Sequence, residues 1–592
     1  MIGRLATIIK GRAATALAPP RDPSRGMTES QRAEAQRRRA IETGRNRLLF
    51  TGIMFTLAFA VIAGRMVDLT VLKGGETQVR QQARMARTAP LEMGRADIVD
   101  RNGVVLATSL PTVSLYANAN EVLDPEEAAA KLVRVLPDLS RADVQARLSA
   151  PRNFVYLKRN LTPREQYEVN ALGIPGLYFE RGERRIYPHG GLFSHVLGLT
   201  DIDNNGIAGL EKTFDGLLKS GTPLRLALDA RVQTVMRNEL LRAVETFSAI
   251  GAIGMVMDVH TGEIISMVSL PDFDPNNPGA TTAENMFNRA TLGVYEMGST
   301  FKLLNTAIAL DSGKSTLQSV YDASKPLRVA RFTISDFHGK NRPLTVPEVL
   351  MHSSNIASAK MAIDYGTETQ RAYMGALGML RTAAIELPEV GSPLVPSPWR
   401  EINTMTISYG HGIAVTPLQV VTGVSALVNG GILRPATLVK HEPGAEPAGQ
   451  RVLKEQTSYQ MRQLMRLTVM GGSGSMSEVP GYHVGGKTGT AEKLGAGGTY
   501  RRKSLLSSFI AAFPMHDPRY VVLAMIDEPQ GTKETFGYAT GGWTAAPAVG
   551  RVISQIGPML GVPSTTEDQA EAVLPIRYLH TLTKSTASAS TE

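Results

Sequence analysis

Residues 251–270 read GAIGMVMDVHTGEIISMVSL, and the conformation of this run decides the fold. Ile253 to Val259 and Glu263 to Leu270 are apolar runs too short for globular helices. His260-Thr261-Gly262 joins them, and a three-residue link containing glycine predicts a hairpin. Working upstream, LRLALDARVQTVMRNELLRAV from Leu224 reads as an alternating strand followed by a helix. Downstream, helical patterns run from residue 299. Strands return near 484–490, 505–513 and 519–527. A last helix carries Val549, Val552, Ile553 and Ile556 at i, i+3, i+4 and i+7. An antiparallel sheet with helices grouped apart from it, one layer packed on another, is an α+β fold.

The segment before residue 224 has a different character. RADIVDRNGVVLATS places β-rich runs around Asn102-Gly103, a strong hairpin signal because both residues tolerate positive φ. Residues 121–150 and 160–172 read as helices, with Pro125 and Pro163 suited to first turns. No internal repeat is evident. Residues 70–225 read as a mixed, polar domain without a cluster of reactive side chains.

The chain has 592 residues, 43% apolar and 20% charged, with no cysteine. That length suits two or three domains, and the composition excludes wholesale disorder. The lack of cysteine excludes disulfides, thiolate metal sites and a cysteine nucleophile. Of the net charge of +9, an excess of seven positive charges lies in residues 1–47. A basic tail invites a nucleic-acid reading, but the next segment explains it better. Leu48 to Gly64 holds 17 residues without a charge, about 26 Å of helix. The arginine-rich side is expected to stay cytoplasmic and the rest to face outward. An uncleaved single-pass anchor over 48–68 is preferred to a cleaved signal peptide, because the triplet Ala58-Phe59-Ala60 lies inside the apolar run. Arg65 and Asp68 at its outer end either snorkel to the interface or meet a membrane partner. Residues 565–592 read as a flexible polar tail.

Three motifs carry chemistry. In YEMGSTFK, Ser299 and Lys302 stand three apart at the head of an apolar stripe formed by Phe301, Leu304 and Ile308. Either Ser299 is an N-cap beside a surface lysine, or a serine nucleophile faces a lysine base whose pKa burial lowers. In MHSSNIASAK, Ser354 or Asn355 caps the next helix; alternatively Ser353 relays protons while Asn355 holds Lys302 and a substrate carbonyl. In GYHVGGKTGTAEK, Gly481 to Thr488 fits a phosphate-loop pattern. It lacks the preceding apolar strand and following helix that such a loop needs. A strand fits instead, with Lys487 and Gly489 on one side and Thr488 and Thr490 on the other. Lys487 supplies charge, the threonines bind a carboxylate, and Gly489 lets a substrate backbone approach.

These motifs occur in the order S-x-x-K, S-x-N, K-T-G, with 54 residues from Ser299 to Ser353 and 134 from Ser353 to Lys487. With YGHGIAVTPLQ (409–419), DRNGVVLA and GLEKTFDGLL, they make the chain resemble a class B penicillin-binding protein. LKRNLTPREQY, RRIYPHG and VLGLTDIDNNGIAGLE resemble the division-specific branch, with the elongation branch as the alternative. The resemblance implies an elongated mixed α/β pedestal domain over 69–224 and a transpeptidase domain over 225–564, the latter an antiparallel sheet flanked by helices. It implies that Ser299 attacks the penultimate D-alanine carbonyl of a peptidoglycan stem peptide, with Lys302 as base. The N–H groups of Ser299 and Thr490 would hold the oxyanion. Ser353 and Asn355 would relay the proton and position substrate. Lys487, Thr488 and Thr490 would bind the terminal carboxylate. β-Lactams would trap Ser299. Partners implied are the membrane, a septal glycosyltransferase and other division proteins; no nucleic acid and no cofactor is expected. The implied location is the bacterial inner membrane, with the catalytic domain periplasmic.

Two residues depart from the family pattern. Met297 stands where many relatives carry proline, and His411 occupies a variable position; neither is expected to touch the chemistry. The histidines follow no metal spacing. Rival readings are an anchored β-lactam sensor, a hydrolase, and a scaffold with a vestigial enzyme domain. The intact motif set argues against the scaffold.

Overall fold

The structure is a computed structural model that describes residues 29–67, 94–329, 332–442, 444–494, 500–566 and 569. Residues 1–28, Asp68, the stretch 69–93 and nearly all of the polar tail lie outside the described residues.

Residues 251–270 form the expected hairpin. Helix α1 (Glu29–Val67) forms a unit of its own. In the larger unit, β6 (Gly251–Asp258) pairs antiparallel with β7 (Ile264–Leu270), five strands of the preceding region coming earlier in the chain. The sheet continues through β8 (Gly485–Leu494), β9 (Tyr500–Phe513) and β10 (Tyr520–Asp527). Its spatial order is β8-β9-β10-β6-β7, antiparallel throughout. Both faces of this sheet are covered, as a sheet flanked by helices requires. Ile253, Met255 and Met257 of β6 join one apolar core, whereas Ala252 and Val256 join another. A strand buried on both faces has no polar side to alternate with, so GAIGMVMD reads as nearly continuous hydrophobicity.

On one face lie α6 (Phe301–Asp311), α8 (Asn355–Ala376), α9 (Pro417–Val428) and α10 (Glu455–Gly471). A short helix, α7 (Val346–Met351), ends just before the S-x-N turn. On the other face lie α5 (Ala230–Thr246) and α11 (Ala545–Met559), whose Val549, Val552, Ile553 and Ile556 are all buried. Every residue of α6 is buried. A helix enclosed on all sides has no water face on which to place a lysine.

In the N-terminal region of the larger unit, β1 (Ile98–Val99) turns through Asn102-Gly103 into β2 (Val105–Ala117), with Gly103 at φ +88°. Strands β3 (Val155–Leu161) and β4 (Leu177–Ile186) flank β2 on either side. Short β5 (Leu224–Arg225) pairs parallel with β1. The helical reading of 121–150 resolves into α2 (Pro125–Val135) and α3 (Arg141–Ser149). Pro137 separates them, since the residue before a proline is pushed out of helical conformation. Helix α4 (Pro163–Ala171) begins with a capping box between Thr162 and Glu165.

The sequence missed a buried charge cluster in this region. Glu211, fully buried, takes ion pairs from Arg95 and Arg185, each at 2.6 Å, and Arg95 also pairs with Asp215 at 2.6 Å.

Among the described residues, no helix is both long and apolar enough to cross a membrane. The described side chains of the apolar run extend only from Phe50 to Gly64, with Met66 beyond.

Candidate active site

Gly298, Ser299 and Thr300 form a 3₁₀ turn, and α6 begins only at Phe301. The expectation that the helix starts at Ser299 is thus corrected by one tight turn. Gly298 sits at φ +53°, where a side chain is strained. A β-carbon there would come within 2.7 Å of the Thr490 carbonyl oxygen. The turn is therefore pressed against the backbone of β8, next to the threonine whose N–H the resemblance assigns to the oxyanion. Ser299 itself is half-buried and accessible.

Lys302 is fully buried beneath Ser299. Its Nζ lies 3.0 Å from Ser299 Oγ, 3.1 Å from Ser353 Oγ, 2.6 Å from the Ser353 carbonyl and 2.7 Å from Asn355 Oδ1. A neutral amine has two N–H donors and one lone pair. The Ser353 carbonyl and Asn355 Oδ1 can only accept, so they take both donors. The lone pair then remains for a hydroxyl hydrogen. Burial, and then the nearby Lys487 cation, hold the Lys302 pKa well below the ordinary lysine value, against the opposing pull of Asp336. Geometry and electrostatics thus agree on an amine able to accept the Ser299 proton.

Lys487 of β8 is also fully buried, and its Nζ donates to Ser353 Oγ at 3.1 Å. Burial lowers its pKa to about 7. Ser353 therefore lies between two lysines, at φ +56°. In the S-x-N segment the capping contact and the contact to Lys302 occur together. Ser354 caps α8, its Oγ accepting from the Ala357 N–H at 3.1 Å, while Ser353 and Asn355 face Lys302. The phosphate-loop alternative fails, because Gly485–Leu494 continues as a strand paired with β9.

Along β8 the expected alternation appears. Thr488 Oγ1 meets Ser473 Oγ at 2.6 Å, and Thr490 Oγ1 accepts from the Gly541 N–H at 3.2 Å. The role expected for Gly489 changes. A β-carbon there would lie 2.8 Å from the Met297 carbonyl and 2.9 Å from Thr300 Cγ2, and closer still to Ser508 Oγ. The space is filled by the chain's own nucleophile turn, so this glycine seats that turn rather than opening room on that side for substrate.

Three residues at the site carried no motif signal. Asp336 accepts from the Ser354 hydroxyl and from the N–H groups of Asn355 and Ile356. Ser473 meets Thr488. Glu296, three residues before Ser299, accepts from the Gly412 N–H at 2.7 Å and pairs with His411 Nδ1 at 3.1 Å. His411 thus contacts the segment that leads to the nucleophile. Met297 is buried in the core. Among the described residues, no group of histidines and carboxylates could hold a metal.

Comparison with known proteins follows the same lines. Residues 252–554 match the model of the penicillin binding protein transpeptidase domain, and residues 90–222 that of the penicillin-binding protein dimerisation domain. The chain is 43% identical over 492 residues to a probable peptidoglycan D,D-transpeptidase FtsI of Caulobacter vibrioides, covering 81% of this chain and 83% of that one. It is 29% identical over 559 residues to the peptidoglycan D,D-transpeptidase FtsI of Escherichia coli, covering 88% and 93%. The crystal structure of a peptidoglycan synthetase from Bifidobacterium adolescentis superposes with a TM-score of 0.63 at 23% identity, over 80% of this chain and 96% of that one; this likeness concerns the fold alone.

Proposed function

The chain belongs to the class B penicillin-binding proteins, and from that premise we propose that it is a serine-type peptidoglycan D,D-transpeptidase of the division septum. One observation carries the reading: Lys302 Nζ lies within hydrogen-bond reach of Ser299, Ser353 and Asn355 at once, with Lys487 on the far side of Ser353.

The reaction follows from these contacts. Lys302 takes the Ser299 hydroxyl proton as the oxygen attacks the carbonyl carbon of the penultimate D-alanine. The N–H groups of Ser299 and Thr490 stabilise the developing oxyanion. Collapse breaks the C–N bond. Ser353, between the two lysines, passes a proton to the departing D-alanine amine. Lys487, Thr488 and Thr490 hold the terminal carboxylate during this step. The acyl group, now an ester on Ser299, is attacked by the side-chain amine of a neighbouring stem. A new amide forms, and the serine oxygen recovers its proton through Lys302. A β-lactam enters the same sequence at the first step and stops at the ester.

Residues 48–68 act as a membrane anchor that holds residues 69–224 as a pedestal and 225–564 as the catalytic domain outside the inner membrane. The exposed apolar side chains of α1 support this, among them Phe50, Phe55, Phe59 and Val61, each more than half exposed. A ring of such side chains fits lipid better than water. Glycan polymerisation comes from a partner glycosyltransferase.

The test combines a stem-peptide donor with an amine acceptor and follows both products. The reading predicts D-alanine released in step with new cross-linked amide, and neither from Ser299→Ala. Release without amide formation would indicate a hydrolase. Depletion should give filamentous cells; rounded cells would favour elongation.

A further inference from the structure

Asp336 lies between the short strands Phe332–Ile334 and Pro343–Thr345, outside all three motifs. Its neighbours Ser335, Phe337 and His338 are exposed, whereas Asp336 is half-buried. One carboxylate oxygen accepts from Ser354 Oγ at 2.7 Å. The other accepts from the backbone N–H groups of Asn355 at 2.6 Å and Ile356 at 3.0 Å. Beside it, the Ser335 carbonyl accepts from Asn355 Nδ2 at 3.0 Å. Asn355 is thereby gripped at three points: its N–H by Asp336, its amide nitrogen by Ser335, and its amide oxygen by Lys302.

The grip has a physical purpose. The first N–H groups of α8 have no partner within the helix, and a carboxylate satisfies them while matching the helix dipole. Ser353, two residues before Asn355, holds a left-handed conformation that non-glycine residues rarely adopt. Such a conformation persists only where its surroundings over-determine it. Asp336 fixes the residues that follow, and Lys302 and Lys487 fix Ser353 itself.

We propose that Asp336 is a positioning residue for acyl transfer: its carboxylate locks the Ser353–Asn355 turn so that the Ser353 carbonyl and Asn355 Oδ1 hold Lys302 against Ser299. The proposal rests on the reading of Ser299 as nucleophile. It also has an electrostatic consequence. The charged groups acting on Lys302 are Lys487 from β8 and Asp336 from the preceding loop. Lys487 drives Lys302 towards neutrality, and Asp336 opposes it. Lys302 must be neutral to act, so activity rises as pH climbs through its titration. Removing the Asp336 charge makes Lys302 lose its proton at lower pH.

The experiment measures the second-order acylation rate by fluorescent penicillin over about pH 5–9 in the full chain. It compares wild type, Asp336→Ala, Asp336→Asn and Ser299→Ala, with thermal melts alongside. Asp336→Ala should fall by about 10–100-fold through misplacement of the turn. Asp336→Asn should fall less, with its acid limb moved down by up to about one pH unit. Rates within about twofold of wild type and an unmoved acid limb would overturn the proposal. So would a loss that only tracks the unfolded fraction, equal at every pH. Labelling of Ser299→Ala as strong as wild type would instead remove the nucleophile reading, and the proposal with it.

Discussion

At the residue scale, Lys302 and Lys487 explain both the chemistry and its penalty. Both are fully buried, and burial holds both below the ordinary lysine pKa. In the proposed reaction Lys302 is neutral and Lys487 protonated at the first step. The pH dependence of acylation is therefore expected to be bell-shaped, with the alkaline limb in the free enzyme near the Lys487 value of about 7. Lys487→Arg should move that limb upward, since guanidinium keeps its charge. Lys302→Ala should lose about 10²–10⁴-fold in acylation, the usual contribution of a general base. The same burial weakens the fold. Lys487 titrates near 7 when folded and near 10.5 when unfolded, so between these values the unfolded chain binds the proton more tightly. Stability should then rise as pH climbs through that window, and the full penalty is present below about 7. Lys487→Met should flatten this rise in urea melts and gain about 1–3 kcal/mol near neutrality, while losing activity.

At the scale of the element, the nucleophile turn is held by backbones in close approach. Gly489 of β8 leaves room for Met297 and Thr300. Gly489→Ala should lower stability by about 1–3 kcal/mol through overpacking and depress acylation beyond that loss, read by melts and labelling rates together. Much of this scale was legible in the chain. The His260-Thr261-Gly262 and Asn102-Gly103 turns, the strands after residue 484 and the final helix all appear, because local turn chemistry and periodicity decide them. The three motifs were legible because each is contiguous. Asp336, Ser473 and Glu296 were not, because each acts only through partners far away in sequence. The helices on both sheet faces were not legible from β6 alone, because a strand buried on both faces gives no alternation. The filled space above Gly489 could not be read because absence of a side chain does not say what occupies its place.

At the scale of the whole molecule, the pedestal-side strands and the catalytic sheet share one apolar core. Ile98, Leu106 and Phe193 belong to the same cluster as Phe301 and Leu304 beneath the site. The described residues from 94 onward lie in one compact unit, so they should melt in a single calorimetric transition. The buried Glu211 cluster belongs to that unit. Glu211→Ala leaves Arg185 buried without its counter-charge and Arg95 with Asp215 alone, and should cost about 3–5 kcal/mol in denaturant melts. The central claim also belongs here: side chains from three distant segments assemble beside Ser299, Lys302 reaching Ser299, Ser353 and Asn355, and Lys487 reaching Ser353. Incubation of the purified protein with a penicillin, proteolysis and mass spectrometry test it most directly. A single penicilloyl adduct on the peptide that contains Ser299, absent from Ser299→Ala, is the predicted result. An adduct on another peptide, or one that survives the substitution, would contradict it.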